Sequence, residues 1–151
     1  MPSRGLPESL AATRPGTGRW SAIECVEHIA VAEDFLLTQI TRAERSGVPL
    51  VSQRREAAIL ARGADRNKRL MSPEVARPAG RFPTLADALA GFLTTREQTV
   101  RFVETCDEDL RSKPMTHPLM GTLNCHEALL LIAVHPRRHA GQILEIRAAP
   151  G

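Results

Sequence analysis

The chain is poor in aromatic residues, with one Trp, four Phe and no Tyr among 151 residues. Leu, Ile, Val and Ala must therefore fill its core, and stacking of bases on aromatic faces has little to build on. Long hydrophobic runs are also missing. The longest, Ala128 to Val134, falls far short of the ~20 apolar residues that a membrane-spanning helix needs, and the N-terminus has no apolar core of a signal peptide. Membrane insertion is not expected. Cysteine is scarce and oddly counted: Cys25, Cys106 and Cys125 form no CxxC pair, which argues against a disulfide framework and for a reducing, cytoplasmic setting. The charge excess is small, at +3, and the arginines are dispersed among acids. That pattern speaks against a nucleic-acid partner and suits a small anionic ligand.

What remains is an ordinary globular composition, 42% hydrophobic and 25% charged, in a chain long enough for one core and one domain. Residues 1–19 hold three prolines and three glycines without sustained apolar periodicity. They read as an N-terminal arm or a short turn of helix before a domain spanning residues 20–151.

Ser21 and Glu24 have the spacing of a capping box at a helix start. From there Ile23, Val26, Ile29, Ala30, Leu36, Leu37 and Ile40 recur at three-to-four spacing, which predicts a long helix ending near Ser46-Gly47. Val48-Pro49 then forces an extended exit. Residues 53–71 place six basic side chains around Ala57, Ala58, Ile59, Leu60 and Leu70, a shorter and more exposed helix. A loop is expected from Ser72 to Pro83. Thr84 with Asp87 marks a second long helix, whose stripe Leu85, Ala88, Leu89, Phe92, Leu93, Val100 and Val103 leads toward Asp107. Lys113 to Gly121, with two prolines, reads as a loop, and Thr122 as the cap of a last helix running to about Arg147. No stretch alternates for long, so the expected fold is an all-α bundle of three long helices and a shorter one, without a sheet.

Chemistry concentrates in the last helix. His135 and His139 lie four apart, which puts both rings on one face, about 40° apart around the axis and about 6 Å along it. One ion can bridge them. The pair follows the apolar run LLLIAV, so its face turns inward, although Pro136 removes a backbone bond to residue 132 and tends to kink the axis. His28 sits mid-helix on the face of Glu24, Ala32 and Phe35, and taken alone it reads as a hydrogen-bonded core or surface histidine. His126 lies nine residues before His135, about two and a half turns, and points to the other side. Cys25 and Cys125 fit buried small hydrophobes, and no cysteine has a basic partner by spacing.

Two stretches carry a family likeness. W-S-A-I-E-C-V-E-H-I-A, from Trp20 to Ala30, and H-P-L-M-G-T-L-N-C-H-E-A-L-L-L-I-A-V-H-P-R-R-H-A-G-Q-I, from His117 to Ile143, resemble the DinB/YfiT-like metalloenzymes. The first matches a Trp-Ser helix opening with a His on its second turn. The second matches a final helix ending His-x-x-x-His-x-x-Gln. The resemblance implies that His28, His135 and His139 are metal ligands, and that His117 belongs to a loop with a structural or pocket-rim role. The family places a full helix before the Trp-Ser segment, where this chain has about nineteen residues. The fourth wall of the bundle is then expected from residues 53–71 or from a partner subunit in a homodimer, or is absent.

The same resemblance implies transfer of groups to or from low-molecular-weight thiols, as in bacillithiol S-transferases and mycothiol-dependent isomerases. Three imidazoles leave a fourth position open, and a divalent ion there lowers the pKa of a bound thiol or water. The expected cofactors are zinc or nickel together with a low-molecular-weight thiol, and the partner is a small-molecule substrate. In a hydrolase version Glu24, one turn before His28, is the candidate base. Arg137 and Arg138 flank the ligand pair and are candidates for holding an anionic substrate at the pocket mouth. A third reading is a non-catalytic binding or scaffold protein.

Overall fold

A computed structural model describes residues 5–46, 52–63, 65–66 and 72–149. Five α-helices occur among them: α1 (Glu8–Ala11), α2 (Ala22–Arg42), α3 (Gln53–Arg62), α4 (Leu85–Thr105) and α5 (Cys125–Ala148). α4 and α5 both pack on α2, and α3 packs on α5. The helical bundle expected from the sequence forms, with one correction to the all-α expectation: a small two-stranded sheet stands where none was expected.

Caps decide where the helices begin. Ser21 Oγ accepts from Glu24 N while the Glu24 carboxylate accepts from Ser21 N, so the capping box at the start of α2 is complete. Thr84 Oγ1 accepts from Asp87 N at the start of α4. At α5 the expected cap is corrected. Thr122 lies in a strand, and Asn124 caps instead, its Oδ1 accepting from Glu127 N at 2.7 Å while Glu127 Oε1 accepts from Asn124 N at 3.0 Å.

The helix ends differ more from the expectation. α2 stops at Arg42, and Ser46 N donates to the Ser112 carbonyl at 2.8 Å, which draws the exit toward the end of the bundle. Val48-Pro49 lies outside the described residues. α3 ends at Arg62 rather than near residue 71. Gly63 follows, and a Cβ there would come within 2.0 Å of Val134 Cγ2. Only glycine lets the chain meet α5 so closely. Lys68, Arg69 and Leu70 lie outside the described residues.

The expected loop at 113–121 is also corrected. Pro114–His117 (β1) pairs antiparallel with Gly121–Asn124 (β2), Met115 facing Leu123 and both side chains buried. Gly121 takes φ 71°, the left-handed turn that a short hairpin loop requires. His117 Nδ1 accepts from the N–H groups of Leu119 and Met120, both at 3.1 Å, and so closes the turn. Strands of four residues are too short for alternation to show in a sequence.

The core falls into two apolar regions along the bundle. Leu36, Ile40, Met115, Leu123, Cys125, Ala128 and Ile132 form one, and Ala11, Ala22, Ile23, Val26, Ala88 and Ile146 form the other. The arm belongs to the second, since Ala11 is fully buried there and Glu8 Oε1 accepts from Leu85 N at 2.8 Å, at the start of α4. On α2 the order is Val26, His28, Leu36, and on α5 it is Ile132, His135, His139, Ile146. The three histidines therefore lie between the two apolar regions, where α2 and α5 run antiparallel. On α4 the stripe is only half used, because Leu89, Leu93, Val100 and Val103 stand on the exposed side.

Candidate metal centre

His28 on α2 and His135 and His139 on α5 converge through their Nε2 atoms. His135 Nε2 lies 3.0 Å from His28 Nε2 and 3.1 Å from His139 Nε2. The rings meet at steep angles with centroids 4.7 to 4.8 Å apart. Trp20, the residue before the α2 cap, packs on two of them, with its centroid 4.7 Å from His28 and 6.0 Å from His139. His28 and His139 are buried.

The hydrogen bonds of the outer rings fix where their protons sit. His28 Nδ1 lies 2.7 Å from the Ala76 carbonyl, which can only accept, so Nδ1 carries the hydrogen and Nε2 keeps its lone pair. His139 Nδ1 likewise donates to Gln142 Oε1 at 2.7 Å, an oxygen that the Cys25 thiol also meets at 3.5 Å. Both outer rings thus present lone pairs to His135 Nε2, and a single N–H there could satisfy only one of them. A cation satisfies all three at once. Donors about 2.0–2.1 Å from a tetrahedral ion stand roughly 3.3 Å apart, close to the separations found, and suitable donor atoms of all three residues lie within 4.8 Å of one another. The outward N–H bonds are the usual means of fixing tautomer and ring orientation around a metal.

Electrostatics point the same way. Burial, reinforced by the neighbouring His139 and His28, pushes the His135 pKa down to about 2. Burial and His28 bring His139 down to about 4, against a small upward pull from Gln142. Burial lowers His28 as well. The imidazoles are therefore neutral at physiological pH, the form that binds metal.

The remaining candidates sort clearly. His126 faces away, with Nε2 3.1 Å from Arg111 Nη2. His117 serves the hairpin, yet it lies near enough to His135 to contribute to lowering its pKa. Glu24 is fully engaged by its capping role and by Arg14, whose Nε donates to Oε2 at 2.9 Å. Cys25 and Cys125 are buried as expected, and burial raises the Cys25 thiol to about 12. Arg137 is exposed. Arg138 donates to the Asp65 carbonyl, and its charge helps to depress all three site histidines. Arg66 crosses α5 at Gly141 to reach Glu145 at 2.6 Å, and it too depresses His139. Sequence reasoning had no means of finding the Ala76 carbonyl, since backbone acceptors leave no signature. Arg66 is one of the six basic side chains that the sequence places on the exposed helix expected over residues 53–71, and nothing in that pattern marks it out.

Fold and site together define a helical bundle with an inward-facing three-histidine cluster able to hold a metal ion. A model of the DinB superfamily matches residues 4–143, and the chain belongs to that superfamily. No curated protein matches it.

Proposed function

We propose that this protein is a metal-dependent S-transferase acting on a low-molecular-weight thiol. The observation that carries the reading is the neutrality of the three ligands and of the groups that orient them. The three ligands are neutral imidazoles, and the groups holding His28 and His139 are a carbonyl and an amide. Among the described residues no carboxylate hydrogen-bonds to any of the three. A divalent ion in such a shell keeps its full charge, and when bound it supplies a Lewis acid that favours the thiolate over the thiol.

The chain's own residues extend that preference. Arg138 and Arg66 bring positive charge to the same region and favour an anionic partner. Glu24, bound to Arg14 and Ser21, is not free to take a proton from water, which counts against the hydrolase version. Cys25 cannot supply the sulfur, because its thiol is buried and held protonated. In this reading the nucleophile is the sulfur of a small thiol. Its proton goes to solvent, its sulfur bonds to an electrophilic carbon, and the leaving group departs with the electron pair of the broken bond.

The test is conjugation to a chromogenic aryl halide by protein reloaded with zinc or nickel, across a panel of small thiols. Turnover that requires metal, and that disappears in His135→Ala, is the expected result. Metal-loaded protein that turns over no thiol in the panel would sink the transferase reading and leave binding as the role of the site.

A further inference from the structure

Pro136 stands next to the central ligand His135, inside a helix that continues unbroken from Cys125 to Ala148. Proline has no N–H, so the carbonyl four residues earlier, that of Ile132, loses its helical partner. A buried orphan carbonyl is costly and also lets the helix bend. In this protein a side chain from another helix fills the gap. Arg96 of α4 donates from Nη2 to the Ile132 carbonyl at 3.1 Å.

That guanidinium is itself held firmly. Arg96 Nε and Nη2 each reach the Glu33 carboxylate of α2 at 2.8 Å, and Thr99 Oγ1 donates to Glu33 Oε1 at 2.7 Å. Glu33 is 3% exposed, and Arg96 also lies 5.3 Å over the Phe92 ring. The planar fork of arginine can bind a carboxylate and a carbonyl together, which lysine cannot reproduce. The link runs from α2 through α4 to the turn of α5 that carries His135. It bypasses the outward bonds that orient His28 and His139.

We infer that Arg96, on a helix that contributes no ligand, is a positioning residue for the metal centre: it replaces the backbone bond that Pro136 removes and so fixes the aim of His135. This rests on the metal-binding reading of the three histidines. Pro136 loosens the turn of α5 that carries His135, and Arg96 holds that turn in one place.

The test is a double-mutant cycle with Arg96→Met and Pro136→Ala, read by cobalt titration through its visible absorption and by thermal unfolding of the metal-free protein. Pro136→Ala restores the missing N–H, so the Ile132 carbonyl no longer depends on Arg96. Loss of the Glu33 partner is common to both backgrounds and cancels in the cycle. Arg96→Met is expected to weaken cobalt binding by about 10–100-fold with Pro136 present, the range for groups that orient ligands. In the Pro136→Ala background the loss should be several-fold smaller. Equal losses in the two backgrounds would overturn the inference. If Arg96→Met does not fold, Arg96→Lys keeps a positive charge beside Glu33, and unchanged cobalt affinity in that variant would overturn it equally. Wild-type protein that takes up no cobalt removes the metal reading itself, whereas cobalt binding without coupling removes only the Arg96 link.

Discussion

Elemental analysis of the protein purified without a histidine tag is expected to return about one divalent metal per chain, and His135→Ala is expected to return none. His135 is the decisive substitution because its Nε2 lies close to both of the others, at 3.0 and 3.1 Å. Removing it leaves His28 and His139, held in place by Ala76 and Gln142, as a set of only two imidazoles. Changes to groups that merely orient a ligand cost roughly 10–100-fold in affinity, so loss of a ligand should exceed 100-fold. His139→Ala should behave in the same way. His126→Ala is the control, since that ring bonds to Arg111 and should leave the metal content unchanged. Metal should also stabilise the fold, by about 4 kcal/mol when free metal is a thousand times its Kd. Wild-type protein that stays metal-free after exposure to zinc and nickel would remove the metal centre.

The parts of this molecule that could be read from sequence are those written in side chains close together along the chain. Ser21 with Glu24 and Thr84 with Asp87 are local hydrogen-bond pairs, and both form as spaced. His135 and His139 share a face because helical geometry requires it. His28 is different. Nothing within α2 distinguishes it from a core histidine, and the family likeness alone assigned it as a ligand. What the sequence hid is what depends on contacts between distant segments. The hairpin 114–124 is held by Met115 and Leu123 entering the core beside Leu36 and Ile40. α3 ends where Gly63 meets Val134 of another helix. Asn124 outcompetes Thr122 as a cap because the strand pairing already commits Thr122 opposite Thr116. That Pro136 deprives the Ile132 carbonyl of its helical partner was legible, while the replacement of that partner by Arg96, 36 positions away, was not.

Acid should destabilise the metal-free protein well above the pH at which its carboxylates titrate. A free histidine in the unfolded chain has a pKa near 6.5, while burial holds His139 at about 4 and His135 at about 2 in the fold. Below pH 6.5 the unfolded chain takes up protons that the folded chain refuses, so the stability present above that pH is lost as the pH falls. For each of these two histidines the loss at pH 5 is about 2 kcal/mol relative to pH 7.5. At roughly 2–4 °C per kcal/mol for a chain of this length, the unfolding midpoint of chelator-treated protein should fall by about 10 °C. His28 adds to the fall in the same direction. The carboxylates of Glu24 and Glu145, held below their ordinary values by Arg14 and Arg66, contribute stability that is lost only at lower pH. The window from pH 7.5 to 5 therefore isolates the histidines. His135→Leu should flatten the slope by about one proton, or ~1.4 kcal/mol per pH unit below pH 6. Bound metal should hold the wild-type midpoint up near neutrality and then release it steeply, because protons and metal compete for the same three nitrogens. A midpoint that stays level from pH 7.5 to 5 without metal would mean that these imidazoles accept protons in the folded state, and the close Nε2 packing between α2 and α5 would have to open to let them.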